Sequence, residues 1–165
     1  MRHILTSVVL LVLLFPAIAS GETMGDLVER EGLFYKKFTE VPFTGKVTGK
    51  TQGTFKNGKE DGPWVGYWDN GQLRLKGTVK DGWKDGPWVT YHDNGQLMWK
   101  GTYKDGKRDG PWVSYYPNGQ LSMKVTHKDG KLNGPWVWYY DNGQLLSKGT
   151  YKNGEKDGPW VAYWD

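Results

Sequence analysis

A chain of 165 residues that contains no cysteine excludes a disulfide framework and a thiolate metal centre. The sequence holds 24 Gly, 10 Trp and 10 Tyr but only 5 Phe, so turns are frequent and aromatic surface replaces much of an aliphatic core. The formal charge of +4 is spread as single lysines, which favours a mildly cationic surface and disfavours a nucleic-acid partner.

The N-terminal residues have the three parts of a secretory signal peptide. Arg2 and His3 precede an apolar run from Ile4 to Ile18, and small residues follow it. The run is shorter than the roughly 20 apolar residues that a membrane-spanning helix needs, which disfavours an anchor. We therefore predict a signal peptide over residues 1–19, cleavage after Ala19, and a mature chain that is periplasmic or extracellular.

The next two segments precede the regular repeat units. Over residues 20–41, two strand-like runs flank Gly32, and we expect this lead-in hairpin to cap the array. Residues 42–61 follow the pattern of the later units, but Pro42 precedes Pro63 by 21 residues instead of 24. We interpret them as a degenerate first repeat, because terminal repeats are often atypical.

A Gly-Pro-Trp-Val tetrad recurs every 24 residues from residue 62 onward, at Gly62, Gly86, Gly110, Gly134 and Gly158. A fixed period of this length is typical of repeat arrays. Each tetrad opens a segment of strand-favouring residues that ends at Asn-Gly, a strong hairpin signal, and its proline suits the first position of a strand. We predict an all-β fold, an elongated single-layer antiparallel β-meander of stacked hairpins. Residues 62–165 would hold four full units and a partial fifth.

Side-chain alternation along the first strand of each unit separates two faces. We interpret the constant aromatic residues as structural, and these are Trp64, Trp88, Trp112, Trp136, Trp160, Tyr67, Tyr91, Tyr115, Tyr139 and Tyr163. The varying positions are the candidates for contact with a partner, and these are Trp68, His92, Tyr116, Trp138, Tyr140 and Trp164. The register of the second strands stays open; if Val and Tyr align with Leu and Tyr, the other face becomes a mixed strip of Trp and Lys.

These units resemble the bacterial variant of the MORN repeat, whose pattern is Asp-Gly-x-x-x-Gly-Pro-Trp-x-x-Tyr-Tyr-x-Asn-Gly-Gln-Leu followed by Lys-Gly-x-Tyr. The resemblance covers residues 42–165. It implies an elongated, twisted antiparallel sheet that is used for protein or lipid contact. Relatives of this type are often labelled as antitoxin components, which an export signal does not favour. The sequence also predicts that Trp160–Trp164 forms an edge strand.

Catalysis needs a nucleophile, an acid/base pair or a metal cluster at one site, and a periodic chain offers none. We therefore expect no enzyme, no cofactor and no metal site, with no such role for His92 or His127. Calcium could bind aspartates in the glycine turns, but neighbouring cations oppose it and turn chemistry explains these residues, which are Asp81, Asp85, Asp105, Asp109, Asp129 and Asp157.

The expected function is an exported scaffold that binds a protein through one sheet face. The alternatives are a module for cell-wall carbohydrate or anionic lipid, or an antitoxin-like component.

Overall fold

The computed structural model describes residues 21–164, and the predicted signal peptide over residues 1–19 lies outside the described residues. Short strands joined by tight turns dominate, with one 3-10 helix at Met24–Asp26. The N-terminal strands are β1 (Glu22–Thr23), β2 (Leu27–Arg30), β3 (Leu33–Lys36), β4 (Gly45–Thr48), β5 (Thr51–Lys56) and β6 (Lys59–Glu60). The repeat region holds β7 (Gly62–Tyr67), β8 (Leu73–Lys80), β9 (Trp83–Tyr91), β10 (Leu97–Lys104), β11 (Lys107–Tyr115), β12 (Leu121–Lys128), β13 (Lys131–Tyr139), β14 (Leu145–Lys152) and β15 (Glu155–Ala162).

One sheet contains every described strand except β2 and β3, which pair with each other as a separate hairpin. From β7 to β15 the strands lie side by side in chain order and antiparallel. At the other end β5 pairs with β7, β4 with β5, and β1 with β4 in parallel, while β6 adds a short pairing to β5. The predicted fold class, an all-β antiparallel meander of hairpin repeats, is confirmed.

Two kinds of tight turn connect the strands of the repeat region. The inner turns are two-residue hairpins such as Asp81-Gly82, where φ is 51° and 85°; positive φ at both positions is what an Asp-Gly type I′ turn requires. The outer turns contain Asn-Gly, and the Asn70 Oδ1 atom accepts the backbone N–H of Gln72 at 3.0 Å. The Asn70 amide also donates to the Asp93 carbonyl in the next outer turn at 2.7 Å. The outer turns are therefore tied to one another as well as closed individually.

The N-terminal end of the sheet carries a compact aromatic core. Phe55 lies 5.0 Å from Phe34 of the separate hairpin and 5.4 Å from Trp64 of the first tetrad, measured between ring centroids. Leu27 and Val47 are buried in the same cluster. The β2–β3 hairpin therefore packs against the sheet at its N-terminal end.

The prediction that each tetrad proline occupies the first position of a strand is wrong for β9, β11, β13 and β15. β9 begins at Trp83, four residues before Pro87. An irregularity separates the two parts of the strand, because Lys76 pairs with Val89 whereas Thr78 pairs with Asp85. Gly86, with a φ of 76°, lies in this bulge. A bulge accommodates proline inside a strand, since the residue there does not need to donate a ladder hydrogen bond.

The register that the sequence left open does not produce a mixed strip of Trp and Lys. Gly66 pairs with Leu75 and Tyr67 pairs with Leu73, so Arg74 is an extra residue in a bulge. The bulge shifts the alternation of β8 by one position, and a shift by one residue moves every later side chain to the opposite face. The same shift recurs in the next three hairpins. Lysine consequently shares a face with valine, and tryptophan shares the other face with glycine.

Candidate functional site

The aromatic face is the side of the sheet that carries the five tetrad tryptophans. Each of these rings lies across a position on the preceding strand that we call the glycine column, formed by Gly53, Gly77, Gly101, Val125 and Gly149. At Gly101 an added Cβ atom would overlap the ring of Trp112, whose Cγ atom would lie only 2.7 Å away. Trp64, Trp88 and Trp112 are each only 5% exposed. Glycine thus creates the space in which the indole rings are buried.

Polar contacts fix these rings further. The Trp88 Nε1 atom donates to the Thr78 carbonyl at 2.9 Å, and Trp112 makes the equivalent bond to Thr102 at 3.3 Å. A cation also lies over the ring in three units, with Lys84 4.6 Å from Trp88, Arg108 4.6 Å from Trp112 and Lys156 4.3 Å from Trp160. These contacts support a structural role for Trp88 and Trp112, and the structural role of the constant aromatic residues stays a prediction.

The fourth unit departs from this arrangement. Val125 occupies the glycine column, and Leu132 stands where neighbouring units have a cation. Trp136 is half-buried, and its ring centroid lies 5.9 Å from Trp138 and 5.2 Å from Trp160. Trp138 itself is 43% exposed. These three tryptophans form an exposed aromatic cluster, which the break in the repeat at residues 125, 132 and 138 could have indicated.

Four of the six predicted partner-contact residues make bonds between units. The Trp68 Nε1 atom donates to the Tyr91 carbonyl at 3.1 Å, and His92 contacts the Tyr115 carbonyl at 2.9 Å. The Tyr116 and Tyr140 hydroxyls donate in the same way to the carbonyls of the tyrosines 23 residues later, at 2.8 and 3.1 Å. These side chains therefore tie each outer turn to the next unit.

The other two, Trp138 and Trp164, are 43% and 92% exposed. The six residues are spread along the sheet and do not form one site. Contact of any of them with a partner stays a prediction.

The opposite face carries the Val–Lys row, one residue from each successive strand. Val65 pairs with Lys76, Lys76 with Val89, and Val89 with Lys100, and the alternation continues to Val161. Its members are Val65, Lys76, Val89, Lys100, Val113, Lys124, Val137, Lys148 and Val161. The four lysines are exposed. Sequence analysis missed this row, because only the bulge places lysine beside valine.

A row of prolines and threonines runs beside the Val–Lys row, since Pro63 pairs with Thr78 and Pro87 with Thr102. The two rows border a groove of about 760 Å³ that extends from β7 to β11. Its lining includes Pro63, Pro87, Pro111, Lys76, Val89 and Lys100.

The charges on this face are arranged in two lines. No lysine of the Val–Lys row lies within 4.0 Å of a carboxylate oxygen of residues 21–164. The ion pairs of these described residues are Arg30–Glu40, Lys36–Glu22 and Lys50–Asp69, and none of them involves the row. Acidic side chains of the inner turns lie level with the threonines, since Thr78 pairs with Asp85 and Thr102 with Asp109. Two of them accept backbone N–H groups, Asp61 from Asp81 at 3.3 Å and Asp109 from Asp129 at 3.4 Å. Two of the acidic side chains thus contact turns, whereas the lysines of the row have no ion pair among the described residues.

Neither histidine of the repeats lies in a chemical centre. Burial, and secondarily the charge of Arg108, lowers the pKa of His127 below its usual value, and its ring packs 5.9 Å from that of Trp112. Within the described part of the chain, no three His, Cys, Asp or Glu side chains come together as metal ligands. The same residues contain no helix with the length and apolar character needed to cross a membrane.

The fold and its surfaces define a β-hairpin repeat scaffold. Its units match the family model described as the MORN repeat variant at residues 60–81, 84–105, 108–129 and 132–153. The chain therefore belongs to the MORN repeat variant family, as its sequence pattern predicted. MORN repeats generally serve as protein-binding or membrane-binding modules.

Other comparisons give little further information. No curated protein matches the chain. A chain in the crystal structure of the GtfA/B complex bound to UDP and GlcNAc is similar, with 18% identity and a TM-score of 0.36 over 77% of this chain. The match covers 29% of the length of the chain in the GtfA/B complex.

Proposed function

We propose that the protein is an exported, non-catalytic scaffold that binds a protein partner through the face that carries the Val–Lys row. The observation that carries this proposal is the groove of about 760 Å³ bordered by proline, valine and unpaired lysine. Apolar surface that alternates with free charge suits a protein interface, because burial supplies affinity and the charges supply orientation. The opposite face offers less, since its central tryptophans are already buried.

The size of this face also supports a protein partner. β7 to β15 are nine adjacent strands. Nine strands at a spacing of about 4.8 Å give the face a length of roughly 40 Å across the strands. About six residues of each strand, at about 3.3 Å per residue, give it a width of roughly 20 Å. The resulting area is about 800 Å², the area that each partner buries in an interface of standard size. The array is therefore large enough for a specific complex.

The proposal is tested with charge reversals at matched positions. Lys100→Glu with Lys124→Glu alters the Val–Lys row, and Lys104→Glu with Lys128→Glu alters the inner turns of the same strands by the same total charge. We expect cross-linking in an envelope fraction to join a defined protein to the wild type and the turn variant, and to fail with the row variant. Equal cross-linking of all three proteins, or of none, would contradict the proposal.

Export is tested separately by N-terminal sequencing of the protein recovered from intact cells. A mature chain that begins at Ser20 in the periplasmic or secreted fraction is expected, because the segment before it has the composition of a signal peptide. A chain in the cytoplasm that still begins at Met1 or Arg2 would contradict this part of the proposal.

The exposed aromatic cluster supports a second candidate function, binding of cell-wall carbohydrate. Tryptophan offers a flat apolar surface with a polar N–H, which suits stacking against sugar rings. Titration with soluble peptidoglycan fragments should then change the tryptophan fluorescence of the wild type but not of a Trp138→Ser variant. An unchanged spectrum in the wild type would remove this candidate.

A further inference from the structure

The lysines of the Val–Lys row form a ladder of regular spacing. Lys76, Lys100, Lys124 and Lys148 lie on β8, β10, β12 and β14, and each pair of neighbours is separated by one strand that bears valine. Strands in a sheet lie about 4.7–4.9 Å apart, so neighbouring lysines are about 9.4–9.8 Å apart along the sheet. The four together span about 28–29 Å. A ligand that pairs with all four must repeat its charge at this interval.

The surroundings of the ladder restrict where such a ligand can lie. On one side are tyrosine and leucine, as in the pair Tyr91 and Leu97, and on the other side are proline and threonine. The inner turns carry both signs of charge, because Thr102 pairs with Asp109 and the same strand ends at Lys104. The Val–Lys row carries lysine alone, so an anionic ligand gains most by running along the row and across the strands.

We propose that the Val–Lys row binds an acidic peptide segment with a carboxylate at every third residue, held in an extended polyproline II conformation. The proposal rests on the protein-binding function argued above and names the kind of segment that is bound. A polyproline II helix has three residues per turn and rises about 3.1 Å per residue, so every third side chain recurs on one side at about 9.3 Å. Ten residues with carboxylates at the first, fourth, seventh and tenth positions span about 28 Å, which matches the four lysines.

Other peptide conformations match less well. In an α-helix, residues on one side recur after seven positions, or about 10.5 Å, so four such residues span about 32 Å. A polyproline II segment also loses little conformational entropy on binding, and grooves lined by aromatic residues are its usual sites. Half-buried tyrosines that pair with leucines lie beside the Val–Lys row on its other side, and these are Tyr67, Tyr91, Tyr115 and Tyr139.

The test uses fluorescence anisotropy with two labelled peptides of one composition. One carries Glu-Pro-Pro three times followed by Glu, and the other carries its four glutamates in succession. We expect the spaced peptide to bind the mature protein at least about tenfold more tightly. Lys100→Gln with Lys124→Gln should weaken its binding about twofold to thirtyfold, as expected for the loss of two exposed ion pairs. Lys104→Gln with Lys128→Gln, the matched control on the same strands, should weaken it less than twofold.

Several results would overturn the proposal. Equal binding of the spaced and clustered peptides would remove the spacing rule, and equal weakening by both double variants would reduce the interaction to net charge. Binding of polygalacturonate, or of vesicles that contain phosphatidylglycerol, in place of the spaced peptide would assign the row to a polysaccharide or a membrane. If no peptide binds while cross-linking to a protein still requires Lys100 and Lys124, the acidic segment is wrong and the protein-binding function stands. If no protein is cross-linked but the spaced peptide binds, the proposal of an acidic segment stands and the proposal of a protein partner in the envelope is wrong.

Discussion

Replacing Gly101 by alanine tests whether the glycine column determines where the tryptophans lie. An alanine Cβ atom would overlap the ring of Trp112, which is buried and hydrogen-bonded to Thr102. The chain contains a natural version of this change, because Val125 occupies the same column and Trp136 beside it is only half-buried. We expect Gly101→Ala to push Trp112 out of its site in the same way.

The expected magnitude follows from three contributions. Overpacking against the indole ring costs about 1–3 kcal/mol, and loss of the hydrogen bond from Trp112 to Thr102 costs about 1 kcal/mol. The lower conformational entropy of alanine in the unfolded chain offsets about 0.4–1 kcal/mol. Gly101 does not have a positive φ, so backbone strain adds nothing. The net loss in the free energy of unfolding should be about 1–3 kcal/mol.

Gly66→Ala provides the matched control. Gly66 also lacks a positive φ, and an added Cβ atom would lie 3.1 Å from Leu75 Cγ and 3.2 Å from the Arg74 guanidinium, both at flexible side chains. The same position is occupied by Ser114 and Ala162 in other units. The midpoint of urea unfolding, followed by tryptophan fluorescence, should fall for Gly101→Ala and stay unchanged or rise for Gly66→Ala. A midpoint for Gly101→Ala at or above the wild-type value would refute the argument that glycine creates the tryptophan site.

Four further variants test other contacts by urea unfolding. Tyr116→Phe should lower stability by about 1 kcal/mol because a half-buried carbonyl of the next unit loses its donor, whereas Tyr140→Phe should change it by less than about 0.5 kcal/mol because its bond is exposed. Burial, then the charge of Arg108, lowers the pKa of His127 in the folded protein, so the unfolded chain binds protons more readily and wild-type stability should fall as the pH drops below about 6.5. His127→Tyr should remove that part of the pH dependence, and an unchanged slope between pH 8 and 5 would contradict it. Trp138→Ser should change stability by less than about 1 kcal/mol, since the ring is 43% exposed, and a larger loss would show that the aromatic cluster is structural.

The sequence was sufficient for the architecture because its signals are local. Asp81-Gly82 can form a type I′ turn whatever its surroundings, and Asn-Gly closes each outer turn through its own side chain, as in the bond from Gln72 N–H to Asn70. Repetition strengthens the prediction, because the same turn and strand signals recur in every unit and each unit supports the interpretation of the others. The family assignment followed from the same periodic residues.

The assignment of faces failed because it depends on residues that are distant in sequence but adjacent in space. Alternation predicts that Leu73 and Leu75 share a face, and the bulge at Arg74 separates them. No residue type marks this bulge, since the extra position is Arg, Met, Ser or Leu in successive units. The second bulge has a clearer signal, because Gly86 precedes proline and adopts a positive φ. That glycine could have corrected the placement of Pro87 at the start of a strand.

Variation along a repeat does not exclude a structural contact, and contact of the varying residues with a partner stays a prediction. Sequence reasoning assigned partner contact to the varying positions, yet Trp68 and Tyr116 hold adjacent units together through hydrogen bonds that several side chains can make to a backbone carbonyl. The lysines of the Val–Lys row are constant, exposed and without a structural bond among the described residues. A partner that is itself periodic would require the same contact in every unit, so its binding residues would be as uniform as structural ones. In such a scaffold, a residue that is both exposed and uniform can also be a binding residue. Lys80, Lys104, Lys128 and Lys152 share this property, but it is the Val–Lys row that borders the groove.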